Sequence, residues 1–215
     1  MNFLSILRKP FRYTFTNATL VIILVNVVMY FLFTVTPLYV YQNYMALSVI
    51  GFFRMHLFWQ PVTYMFMHGG ISHLFFNMLA LVFFGINTEK ALGSKEFLLL
   101  YFVSGILCGI ISVVIYSLTG YDRLFLVGAS GAIYAILLAY AVIFPRSRIF
   151  IWGILPVPAP VLVIAYAVIE LGSQLFSVGG GVAHLTHLAG LAVAWLYFRI
   201  RMGINPLQIW KDAYR

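Results

Sequence analysis

Residues 96–118 read EFLLLYFVSGILCGIISVVIYSL, and after Glu96 no charged side chain follows until Asp122. As a helix this stretch rises about 34 Å, and a bilayer's hydrocarbon core takes about 20 apolar residues to cross. Working outward, the same reading applies to runs at roughly 18 to 36, 72 to 88, 124 to 144, 157 to 177 and 183 to 200, making six predicted spans. The composition agrees: of 215 residues, 63% are hydrophobic and only 8% charged, with mean hydropathy +1.01. An ordinary water-soluble domain is excluded by these values, and a strand-rich membrane barrel by the long continuous runs. The expectation is an all-α integral membrane protein: residues 1–17 a short cytoplasmic N-terminus, 18–200 one six-helix membrane domain, and 201–215 a basic cytoplasmic tail.

The net charge of +8 would suggest a nucleic-acid partner in a soluble protein, but here the placement of the charges carries the information. With the N-terminus inside, Arg8, Lys9, Arg12, Lys90, Lys95, Arg146, Arg148, Arg199, Arg201, Lys211 and Arg215 fall on the cytoplasmic side, leaving Arg54 and Arg123 outside. Cationic residues concentrate on cytoplasmic loops, so the alternation supports six spans with both termini cytoplasmic and a lipid bilayer, not nucleic acid, as the medium. Cys108 is the single cysteine and lies mid-span, which excludes an intrachain disulfide or a cysteine metal cluster.

The connection between the first two spans, about 35 residues, far exceeds the few residues usual between bundle helices. Phe52, Phe53, Met55, Leu57, Phe58 and Trp59 interleave there with Arg54, His56 and Gln60, which predicts an interfacial, partly helical element; a plain aromatic anchoring belt is the alternative. Further on, Pro156-Val157-Pro158-Ala159-Pro160 should stop any helix continuing from Ile149 to Leu155, and Gly179-Gly180-Gly181 gives a flexible link before the last span. A fifth span between these two features is expected to move more easily than its neighbours.

In this topology the second, fourth and sixth spans enter from the outer face. His73 and Asn77 then lie in the first turns of the second span, Ser130 about two turns into the fourth and His187 about one turn into the sixth, by helix rise alone. Polar groups in hydrocarbon cost several kcal/mol unless partnered, so four at one depth suggest one shared site. His73 and Asn77 are spaced i, i+4, as are Ser130 and Tyr134. Gly128, Gly131, Ala135 and Ala139 form one small-residue stripe, and Ala183, Gly190 and Ala194 another on the face of His187; such stripes let membrane helices approach closely. Packed together, they would bring Ser130 within hydrogen-bonding reach of His187, as a nucleophile and base require. The plainer alternative is that Gly128-Ala129-Ser130-Gly131 is only a packing motif and His187 a helix-helix hydrogen bond.

His68, His73-Leu74-Phe75-Phe76-Asn77, Glu89, Gly128-Ala129-Ser130-Gly131 with Tyr134, and His187-Leu188-Ala189-Gly190 resemble, in order, the motifs of the rhomboid intramembrane serine proteases. That resemblance implies a six-transmembrane-helix rhomboid-like bundle with an interfacial loop between the first two helices. It implies Ser130 as nucleophile, His187 as general base, and His73, Asn77 and the Ser130 backbone amide as the oxyanion hole, with Gly128, Gly131, Tyr134 and Gly190 in support. No metal or other cofactor is implied. The substrates would be single-pass or other transmembrane proteins, cleaved in or beside their membrane segments, at a site opening toward the non-cytoplasmic face. Two departures from the family pattern are Gln60 after Trp59, where arginine is common, and Ala194, where a second glycine is common.

Other readings stay open on the residues alone. A catalytically silent rhomboid-like client-binding protein or a small polytopic transporter would need no dyad. A zinc site could draw on His68, His73, His184 and His187. Glu170, at a depth near Ser130, is expected to snorkel to water or accept backbone hydrogen bonds, the alternative being that it orients a histidine. His184 lies three residues before His187, but Gly190 follows His187 at the family interval, which favours His187 as the base.

Overall fold

The computed structural model describes residues 7–151, 153–176 and 182–215; the Gly179–Gly181 link lies outside the described residues. The chain is mostly helical: α1 Ala18–Val35, α2 Ile71–Leu92, α3 Ser94–Thr119, α4 Ser130–Ile143, α5 Ala159–Leu175 and α6 Val182–Tyr197, followed by α7 Pro206–Ala213. α2 includes a π-helical segment at Leu81–Gly85, and α6 runs on into another at Phe198–Met202. Among the described residues, α1, α2 and α3 are long and apolar enough to cross a membrane, and α4 and α5 are shorter apolar helices. Val21, Leu24 and Phe31 of α1, Phe75, Phe76 and Phe83 of α2, and Val168, Ile169 and Leu171 of α5 all face outward. A soluble monomer does not carry so much exposed apolar surface.

α4 is the core helix. Ala132, Ala135, Ile136, Ala139 and Ala141 are buried, and α4 packs most extensively against α6 and α3. Its small side chains permit that closeness, because attraction between helices in lipid rests on van der Waals contact at short range. At the tightest point a Cβ added to Gly190 would overlap the Gly131 carbonyl oxygen and lie 3.0 Å from its carbon.

Two stretches differ from the sequence expectation. The fourth helix starts at Ser130 instead of near 124, because Phe125–Leu126 (β2) leaves the helical path to pair antiparallel with Leu47–Ser48 (β1), Leu47 opposite Leu126. Ser130 therefore opens its helix, whereas the sequence placed it two turns inside. Arg148–Ile151 (β3) and Leu155–Pro158 (β4) form a hairpin, so the chain is not wholly α. Prolines are tolerated in such a ribbon because it has two edges, and Pro160 then sits in the first turn of α5.

The long connection is partly helical, with short helices at Gln42–Met45 and Gln60–Thr63, a π-helical turn at Ile50–Arg54 and 3₁₀ turns at Pro37–Tyr41 and Tyr64–Phe66. One side packs into the bundle: Leu47, Met65 and Tyr64 are buried, and the Tyr64 hydroxyl donates to the Gly105 carbonyl of α3 at 2.6 Å. The other side exposes Phe53, Met55, Phe58 and Trp59. Gln60 is fully buried, accepting from the Ser48 amide at 3.3 Å and donating toward the Asn43 and Tyr44 carbonyls, so it ties the loop to itself.

At the other end of the bundle, Glu89 caps α1 from a distance. Asn17 makes no side-chain cap; instead the Glu89 carboxylate accepts from the Ala18 amide (2.7 Å), the Thr19 amide (2.8 Å) and hydroxyl (2.7 Å), and the Ser94 hydroxyl (2.5 Å). A negative group at a helix N-terminus satisfies unpaired amides and complements the macrodipole. Glu89→Gln replaces one accepting oxygen with a donor facing donors, and is expected to lower stability by about 1.5–3 kcal/mol. Thermal unfolding in detergent would show it as a lower midpoint, and an unchanged midpoint would count against the capping role. Nearby, Arg201 grips Glu96 through two bonds of 2.7 and 3.0 Å, joining the end of α6 to the start of α3.

Candidate active site

The cavity between the starts of α2, α4 and α6 measures about 470 Å³, and Tyr64, His73, Asn77, Gly128, Ser130, Tyr134, Thr186 and His187 are among its lining residues. Four polar residues that the sequence put at one depth thus line one cavity. The β1–β2 pairing sets the approach to Ser130: it fixes Leu126, and two residues on the Gly128 amide donates to the Tyr64 carbonyl at 2.9 Å. Gly128 has φ +110°, which disfavours any side chain, and a Cβ there would lie 2.6 Å from His73 Cε1 and 2.7 Å from Nε2. The glycine lets backbone, imidazole and the Asn77 carboxamide crowd together just before Ser130.

Ser130 is the first residue of α4, so its amide belongs to the turn that lacks intrahelical acceptors. Its hydroxyl lies 2.8 Å from His187 Nε2. The His187 ring stacks on Tyr134, with centroids 4.2 Å apart and planes 7° from parallel. Below them the Asn77 amide nitrogen is buried with no hydrogen-bond partner among the described residues. A buried unpaired donor is costly, and a catalytic role is one reason such a group is kept.

Glu170 departs from the sequence expectation. Its side chain is only 8% exposed, and among the described residues it takes the Tyr134 hydroxyl, His187 Nδ1 at 2.9 Å and His184 Nδ1 at 2.5 Å. The structure also separates the two histidines, because His187 faces Ser130 while His184 meets the other carboxylate oxygen. Candidate ligand atoms of Glu170, His184 and His187 lie within 4.8 Å of one another, so these three could hold a metal ion. This is a different set from the four histidines considered on sequence. His68 instead sits in the link before α2, its ring 5.1 Å from His73, and burial, then the neighbouring imidazole, push its pKa down to about 4. Tyr64 and Thr186 were not picked out from sequence, since nothing marks a tyrosine in an aromatic loop or a threonine beside a histidine as site-forming.

A sequence model of the rhomboid domain matches residues 55–203, more than half of the chain and all of the cavity-lining residues named above. The chain belongs to the rhomboid family. Among rhomboid relatives, RHOMBOID-like protein 4 of Arabidopsis thaliana is 32% identical over 144 residues, covering 64% of this chain and 32% of that protein. Rhomboid protease GluP of Bacillus subtilis is 42% identical over 79 residues, 37% of this chain and 14% of its own length. Inactive RHOMBOID-like protein 8 of Arabidopsis thaliana is 36% identical over 58 residues, 27% of this chain and 16% of that protein. The chain spans less than half the length of each of these rhomboid relatives, and their names include both a protease and an inactive protein.

Proposed function

We propose that this membrane protein is an intramembrane serine endopeptidase that cleaves other membrane proteins within or beside their transmembrane segments. The observation that carries the reading is the 2.8 Å approach of His187 Nε2 to the Ser130 hydroxyl in a polar-lined cavity. In the proposed reaction the Ser130 oxygen attacks the scissile carbonyl carbon while His187 Nε2 takes the hydroxyl proton. The developing oxyanion is met by donors from His73, Asn77 and the Ser130 amide. The imidazolium then protonates the departing amine as the C–N bond breaks, leaving a Ser130 ester. Water, deprotonated by His187, hydrolyses that ester and restores the hydroxyl.

The bilayer arrangement is part of the same proposal: six crossings, both termini cytoplasmic, and the cavity toward the outer face. Its support is the distribution of Lys and Arg, together with the placement of the site at the starts of α2, α4 and α6. The Glu96–Arg201 pair lies about 20 Å further along α6 from His187. A helical substrate must unwind locally before its carbonyl is exposed, so helix-breaking residues near the cleavage point are expected.

The test is cleavage of a single-span substrate co-reconstituted in liposomes, with fluorophosphonate labelling to mark an activated serine. Labelling and cleavage that survive Ser130→Ala would overturn Ser130 as the nucleophile, and an unsubstituted protein that neither labels nor cleaves would leave a client-binding role in place of the proposal. Asn77→Ala removes the unpartnered donor and is expected to lower kcat about 10²- to 10³-fold with little change in KM, since an oxyanion donor acts in the transition state. A raised KM with kcat unchanged would instead assign Asn77 to binding.

A further inference from the structure

Glu170 is a buried acid on α5 whose partners are all on other helices: Tyr134 of α4, and His184 and His187 of α6. An acid in apolar surroundings stays only if its charge is paired and its lone pairs are used. Here both oxygens are engaged. An ionised carboxylate can only accept, and a phenol supplies one hydrogen, so each imidazole must present an N–H from Nδ1. For His187 this has a direct chemical result. With the proton on Nδ1, Nε2 carries the lone pair, and Nε2 is the atom 2.8 Å from the Ser130 hydroxyl. The opposite tautomer would point an N–H at the serine and could not accept its proton.

We infer that Glu170 is a positioning residue that holds His187 in its base-competent tautomer and balances the imidazolium formed during catalysis, so that the site works as a Ser130–His187–Glu170 array. The inference rests on the proteolytic reading above. The groups facing the carboxylate are Tyr134 from α4 and both histidines from α6; on α5 itself, Tyr166 packs edge-on against Tyr134 at 5.9 Å. His184 on Oε2 and the Tyr134 hydroxyl on Oε1 supply the further donors that a buried carboxylate needs, and Oε1 also takes His187 Nδ1. The acid comes from a different helix than either the serine or the histidine. The base is therefore set only while α5 is seated against α4 and α6, and any departure of α5 withdraws the carboxylate from Nδ1.

The full-length protein, labelled with ¹⁵N-histidine and held in detergent micelles, permits a test independent of turnover. His187 is expected to give the signature of a neutral ring protonated at Nδ1, with its proton in a strong hydrogen bond, the resonance being assigned by its loss in His187→Gln. In Glu170→Gln that signature should be lost or mixed with the Nε2–H form. Turnover per fluorophosphonate-titrated site should then fall about 10²- to 10⁴-fold, by analogy with removal of a triad acid, while KM stays within about twofold. A merely structural clasp would lower the yield of folded protein and leave turnover per titrated site unchanged, which would overturn the inference. So would a His187 ring protonated at Nε2 in the unsubstituted protein, a result that decides the matter even if Glu170→Gln does not fold. If the unsubstituted protein cleaves no substrate, the proteolytic reading fails, and the Nδ1 signature still reports separately on whether Glu170 orients the ring.

Discussion

Ser130→Ala and His187→Ala are each expected to reduce cleavage of a reconstituted single-span substrate by at least about 10⁴-fold, and the double variant to be scarcely worse than either. Non-additivity is the informative part. Nucleophile and base act on one proton, so once the hydroxyl or its acceptor is gone, removing the other takes away nothing further. Oxyanion donors act on a different atom, and His73 and Asn77 would still bind a tetrahedral charge generated by water. A small residual rate, equal in the two single variants, is therefore consistent with the mechanism. Two single effects that multiply in the double variant would mean that Ser130 and His187 act separately, despite the 2.8 Å between them.

The second large effect is expected at Gly190, which touches no reacting atom. A methyl group there would occupy the place of the Gly131 carbonyl oxygen, and backbone cannot rotate aside as a side chain can. Gly190→Ala should therefore push α6 away from α4, at a cost of about 1–3 kcal/mol in stability. Because Gly131 adjoins Ser130 and Gly190 lies one turn beyond His187, the displacement falls on the dyad. A misplacement of about 1 Å can cost about 10² in rate. Gly172→Ala is the control: it is the same chemical change on α5, a Cβ there meets nothing within 4 Å, and replacing a helical glycine is expected to be neutral or slightly stabilising. Comparable cleavage and melting by Gly190→Ala and Gly172→Ala would show that the α4–α6 contact does not hold the site.

Both effects bear on what the sequence could reveal. Ser130, His187, His73 and Asn77 could be grouped in advance because helix rise and charge alternation give depth, and depth needs no tertiary information. Rotation about each helix axis is a different quantity, and several hydrophobic faces were compatible with the pattern. That is why Glu170 was visible as an acid at the right level while its contact with His187 Nδ1 was not. The start of α4 was hidden for another reason. Leu124-Phe125-Leu126-Val127 is as apolar as the helix that follows, and only pairing with a segment near Leu47, far away in the chain, turns it into a strand. The β3–β4 hairpin shows the same limit: proline announced that a helix could not pass, but not what would replace it.

The Glu89 cap also has a bearing on biosynthesis. α1 leaves the ribosome well before the residue that completes its first turn, for Glu89 follows Ala18 by 71 positions and belongs to the far end of α2. Until that end arrives, the amides of Ala18 and Thr19 must be served by water or lipid headgroups. The first helix is thus inserted in a provisional state and locked only when the α2–α3 turn, with Ser94, closes over the same carboxylate. A nascent chain halted before residue 89 would carry a first helix that is membrane-seated yet frayed at its cytoplasmic end in the proposed topology, a late seal that places assembly of this end of the bundle after synthesis of its second helix.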